Sequence, residues 1–90
     1  MAQVVVTFRI MPDSPDIDLK IIETKAKKLI ASVGEVGKVE VQPVAFGLNA
    51  LLIFFVMDES KGSTDQLEKR IAAIEGVTSI EVVDVRRAIG

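Results

Sequence analysis

Ala50-Leu-Leu-Ile-Phe-Phe-Val-Met57 is apolar at every position. A strand with one wet face alternates apolar and polar residues. An unbroken apolar run therefore reads as a strand covered on both sides, at the centre of a sheet. The run closes the longest uncharged stretch of the chain, 17 residues from 41 to 57. Pro43, Gly47 and Asn49 interrupt that stretch, and it falls short of the roughly 20 apolar residues of a membrane-crossing helix. Residues 45–49, Ala-Phe-Gly-Leu-Asn, lead into the run as a connection, and residues 58–62 lead out of it as a polar loop.

Upstream, residues 36–44 read as a strand in which Val39 and Val41 alternate with Lys38, Glu40 and Gln42. Pro43 has no N–H to give to a ladder, which predicts an edge position. Residues 3–11 read as another strand, with Val4, Val6, Phe8 and Ile10 on one face and Val5, Thr7, Arg9 and Met11 on the other. A loop with two prolines, residues 11–16, precedes a helical repeat of Leu19, Ile22, Ala26, Leu29, Ile30 and Val33. Asp16 is expected to cap that helix, Asp18 to complement its dipole and Gly34 to stop it. Downstream of the polar loop, Ser63 and Gln66 have capping-box spacing, and Leu67, Ile71 and Ile74 continue as a helical stripe towards Gly76. Residues 77–87 form the last strand. Its apolar register shifts from Ile80 and Val82 to Val83 and Val85, which predicts a bulge or twist.

The order strand–helix–strand, strand–helix–strand is that of two split βαβ units. It predicts an α+β, ferredoxin-like sandwich: a four-stranded antiparallel sheet with two helices on one face. The first and third strands, the most apolar, take the centre, and the second and fourth take the edges. One domain over residues 1–90 is expected. The second face of the sheet is left open, carrying Val5, Met11 and one side of the 51–56 run. Such a face is an interface, or long side chains cover it.

Composition excludes several kinds of chemistry. Of the 90 residues, 49% are hydrophobic and 27% charged, as in a globular protein. There is no Cys, so no thiolate nucleophile, disulfide framework or zinc ribbon. There is no His, so no Ser-His-Asp triad and no imidazole base near neutral pH. The net charge of −2, from 11 basic and 13 acidic residues, is not the footprint of a nucleic-acid binder. The start of the chain has no basic region before an apolar stretch, and Arg9 interrupts the early valines, so no signal peptide is expected. With the absence of cysteine, this fits a cytoplasmic protein without membrane contact. The mean hydropathy of +0.39 is high and asks for buried or partnered apolar surface.

Phe46-Gly47 is the most unusual local feature, because Phe46 lies outside every strand pattern. Two readings stand. The ring folds back on the end of the core while Gly47 supplies a turn conformation, or it is an exposed anchor for a partner protein. Arg86-Arg87 is either a solvated strand end or a pair that meets phosphate or carboxylate on a partner. Lys25, Lys27 and Lys28 read as the wet side of the first helix. Asp58, Glu59, Asp65 and Glu68 lack the spacing of a metal loop, and Gly62-Ser63-Thr64 lacks that of a phosphate loop.

Three segments carry a family resemblance: MPDSPDIDL at 11–19, QPVAFGLNAL at 42–51 and KGSTDQLEKRIAAIEGVTSIEVVDVRR at 61–87. In order and spacing they closely resemble archaeal translation elongation factor 1-beta, the counterpart of the C-terminal exchange domain of larger eukaryotic proteins. The resemblance implies a ferredoxin-like fold and exchange of GDP for GTP on the GTPase elongation factor 1-alpha. It implies no covalent chemistry, no cofactor and no direct contact with nucleic acid. It also implies that Phe46, next to Gly47, inserts into the GTPase, and that a basic residue near the C-terminus disturbs the magnesium and switch region. By position that residue is Arg87, with Arg86 beside it. The eukaryotic chains place a Lys one residue before their end, whereas here Arg87 is followed by Ala88-Ile89-Gly90. Ser63 stands where a second Gly is common. A different class of function on the same fold is a small-ligand-binding regulatory domain, which would need a pocket at an interface.

Overall fold

A computed structural model describes residues 2–88 of the chain. The elements follow the expected order: β1 (Gln3–Pro12), α1 (Leu19–Ala31), β2 (Gly34–Pro43), β3 (Asn49–Asp58), α2 (Asp65–Ala72) and β4 (Val77–Ala88). Short 3-10 turns, Ala45–Gly47 and Glu59–Lys61, precede and follow β3. The sheet order is β2-β3-β1-β4, antiparallel throughout, with the two most apolar strands at its centre. The fold is the ferredoxin-like sandwich. No helix among the described residues is long and apolar enough to cross a membrane.

The core lies between the sheet and the helices. β1 sends Val6, Phe8 and Ile10 into it, β3 sends Leu51, Ile53, Phe55 and Met57, and the helices answer with Ile22, Ala26, Ile30, Leu67 and Ile71. Each large apolar side chain buried in this way contributes about 1.5–3 kcal/mol. Phe8 and Phe55 meet edge to face with ring centroids 4.9 Å apart.

Three boundary expectations need correction. The cap of α1 is Asp18, not Asp16: Asp18 has the extended backbone a cap requires, and its carboxylate accepts from the Lys20 N–H at 2.9 Å. Gly34 does not stop α1, which ends at Ala31 with Ser32 as cap. Gly34 opens β2 instead, where a Cβ would lie 2.3 Å from the Val56 carbonyl oxygen, so its lack of a side chain lets β2 close on β3. The cap of α2 is Thr64, not Ser63. The Thr64 hydroxyl donates to Glu68 at 2.6 Å, while Ser63 accepts only a long 3.4 Å bond from Asp65 N–H.

The predicted bulge in β4 is present. Thr7 pairs with Asp84 and Phe8 with Val82, which leaves Val83 without a partner on β1. Past the bulge, Val85 and Arg87 share the helix side with Ile80 and Val82, and Asp84 and Arg86 turn to the open side.

The open face is covered by its own edges. Thr7 is buried at its centre, and Val5, Met11, Leu52, Phe54 and Val56 are half-buried around it. The Lys38 ammonium lies 5.5 Å from the Phe54 ring centroid and pairs with Glu40 at 2.9 Å. Arg9 bridges to Glu81, and Arg86 to Asp84, each at 2.8 Å. Long side chains shield apolar surface while their heads stay in water.

Candidate functional site at the two ends of the sheet

Phe46 stands at the tip of the β2–β3 hairpin. The loop is closed by the Val44 N–H donating to the Leu48 carbonyl at 2.8 Å and the Leu48 N–H donating to the Ala45 carbonyl at 3.2 Å. Within it, Phe46 takes φ +61° and Gly47 φ +74°, both left-handed. Glycine accepts that region freely, whereas for a bulky aromatic it costs on the order of 1–3 kcal/mol. The ring gains nothing from burial in return: Phe46 is 94% exposed. Of the two readings of Phe46, folding back on the core is ruled out. The chain spends backbone strain to hold an aromatic ring in water.

Arg87 lies at the other end of the sheet, because Gln3 pairs with both Asp58 and Ala88. Its guanidinium grips the Glu59 carboxylate in a fork, donating from Nη2 at 2.7 and 2.8 Å and from Nε at 3.1 Å. The hydrogen bond to Glu59, and then its charge, hold the Arg87 pKa above the ordinary arginine value, so Arg87 stays cationic at every working pH. Glu59 is itself placed by its turn. Asp58 accepts from the Ser60 N–H at 2.8 Å, and the Glu59 N–H donates to the Ala2 carbonyl at 3.0 Å. The bonds from Ser60, backbone first and hydroxyl second, hold the Asp58 pKa below the usual carboxylate value.

The expected site residues therefore do not converge. Phe46 and Gly47 are separated from the arginines by the length of β3, ten residues or about 30 Å, in a molecule 42 Å long. Arg86 and Arg87, adjacent in sequence, point to opposite faces of the sheet. Among the described residues, no group of three acidic side chains gathers to hold a metal ion.

A profile described as the EF-1 guanine nucleotide exchange domain matches residues 5–88. The chain belongs to that family. Similar proteins include elongation factor 1-beta of Methanothermobacter thermautotrophicus, 41% identical over 87 residues, which are 97% of this chain and 98% of that protein. Elongation factor 1-beta of Hyperthermus butylicus is 40% identical over 88 residues, covering 97% of this chain and 96% of that protein. Among solved structures, the ACT domain from GTP pyrophosphokinase of Chlorobium tepidum superposes with a TM-score of 0.57 over 90% of this chain and 99% of that one. At 16% identity, that likeness is one of fold.

Sequence reasoning about this exchange-domain family member missed Glu59 as the partner of Arg87. The acid was visible, but the pairing joins residues 28 apart that only the sheet register brings together. The usable signal was Asp58-Glu59-Ser60, where an Asp two residues before a Ser favours a tight turn with its carboxylate on the backbone.

Proposed function

We propose that this protein is a translation elongation factor that promotes exchange of GDP for GTP on elongation factor 1-alpha, with Phe46 and Gly47 as one contact and Arg87, flanked by Arg86, as the other. Family membership supports exchange as the activity. The observation that carries the contact is Phe46, exposed in water on a strained backbone. A strained, exposed aromatic fits a partner pocket already shaped, since little ordering remains to be done on binding.

Exchange on this reading needs no covalent step, which suits a chain without His or Cys. A protein that binds the nucleotide-free GTPase more tightly than the nucleotide-bound form weakens nucleotide binding by the same factor. Phe46 holds the GTPase in an altered conformation, and the Arg87 guanidinium competes for acidic or phosphate groups around the magnesium site. Arg87 must then exchange Glu59 for a partner group. That exchange costs little, because an ion pair between exposed groups competes with water for both partners. One GTPase touching both ends must present contacts about 30 Å apart.

The test is release of labelled GDP from elongation factor 1-alpha. Phe46→Ala should weaken association by about 2 kcal/mol, and Arg87→Ala should slow release more than it weakens association. Full acceleration by a folded Phe46→Ala protein would remove that residue from the site. No acceleration by the unaltered protein would end the reading.

A further inference from the structure

We infer that the outer ridge of α1 is a second docking surface, which takes an acidic polypeptide segment carrying one aliphatic side chain. The inference is independent of the exchange reading. The ridge faces away from the sheet and is formed by Lys20, Thr24, Lys25 and Lys28 around Ile21, which together line a shallow groove. Ile21 is 54% exposed, whereas Ile22, Ala26 and Ile30 on the inner side of the same helix are buried. Glu23 pairs with Lys27 at 2.8 Å on the flank of the helix. Among the described residues Lys20, Lys25 and Lys28 have no ion-pair partner. A chain of net charge −2 thus carries three cations outside any ion pair along two turns of one helix, over about 12 Å, while Asp16, Asp18 and Glu75 line the adjoining groove beside Ile21 and Lys25.

This arrangement works against the helix that bears it. Lys20 is in the first turn, where a cation opposes the helix dipole, and that turn contains no acid inside the helix. Lys25 and Lys28 are like charges at i, i+3, a spacing that weakens a helix. Local choices that oppose the fold mark places where another demand acts on the sequence.

Charge complementarity fixes the sign of the occupant, and the apolar floor fixes its class. A phosphate backbone would use the lysines but not Ile21, and the ridge has no aromatic or arginine on which a base could stack. A second copy of this chain is a poor fit. Four of its acids, Glu59, Glu81, Asp84 and Glu40, are already engaged with arginines and lysines of their own, and self-association through the ridge is kept as an outcome of the test. A short acidic segment with a central leucine uses both the charges and the exposed isoleucine.

The experiment titrates the full, isotope-labelled chain with a synthetic peptide of Asp and Glu bearing one central Leu, and reads backbone amide shifts. A matching peptide with Ser for Leu and a uridylate oligomer are run beside it. Shifts are expected along residues 20–28 and should fade as added salt screens the pairs. The Lys25→Gln/Lys28→Gln double variant should weaken binding about three- to tenfold, and Ile21→Ser should abolish the preference for Leu over Ser. All three positions are exposed, so the variants keep the fold, and the dispersion of the same spectra verifies it. Absence of α1 shifts, tighter binding of the uridylate oligomer at the ridge, self-association through it, or an unchanged Leu preference in Ile21→Ser would each overturn the inference.

Discussion

Phe46 combines two properties that rarely coincide, a left-handed backbone and almost complete exposure. Strain at a residue without packing separates its contribution to stability from its contribution to binding. Phe46→Gly should raise the unfolding free energy by about 1 kcal/mol in urea titration, because glycine adopts φ +61° without penalty. The same variant should lose GDP-release activity on the proposed reading. A less stable Phe46→Gly protein would mean that the ring supports the hairpin. The sequence showed Phe46 lying outside the strand pattern but left its direction open, since an aromatic beside glycine fits a folded-back ring as well as a projecting one. The decision lies in φ, which no residue-type pattern records.

Among the elements, β3 was legible from its unbroken apolar run, because its inner side packs in the core and its outer side, Leu52, Phe54 and Val56, is half-covered by long side chains of the neighbouring strands. The β4 bulge was legible as a broken alternation at Val82-Val83. The helix ends were not. Asp16 and Asp18 are chemically equivalent candidates, and the turn over residues 14–17, closed by Ile17 N–H on the Ser14 carbonyl, decides between them. Gly34 misled for a related reason. Glycine after a helix reads as a stop, but here the demand comes from the neighbouring strand. Gly34→Ala should therefore cost about 1–3 kcal/mol in urea titration, the range of an overpacked side chain pressed on a neighbour. A neutral result would mean that β2 can slide away from Val56 without loss.

For the whole molecule, the sequence named the candidate residues one by one but not their arrangement. Sequence distance ranked Phe46 and Arg87 as far apart without saying that the sheet would put them at opposite ends, or that Arg86 and Arg87 would face opposite sides. The separation of about 30 Å has a measurable consequence. Substitutions that far apart with no shared partner act independently. The Phe46→Ala and Arg87→Ala losses in affinity for the nucleotide-free GTPase should add to within about 0.5 kcal/mol by calorimetry. Strong coupling between them would indicate that contact at one end changes the conformation that the other end meets.

The bulge at Val83 also bears on how the length of the chain can vary. A side chain's face is set by counting along the strand, so one residue gained or lost elsewhere between Ile80 and Arg87 would swap every later face. Val83 is the residue the ladder leaves over. Its deletion would restore plain alternation and leave Asp84 and Arg86 on one face and Val85 and Arg87 on the other. A chain shortened there should keep the Arg87–Glu59 grip and any activity that depends on it, as its GDP-release rate would report. A chain shortened at Val85 should put Arg86 opposite Val6 and Arg87 opposite Val5 on the open side, which breaks the Arg87–Glu59 grip. A change of length in this strand is expected to be tolerated at one position, where the ladder is already out of step.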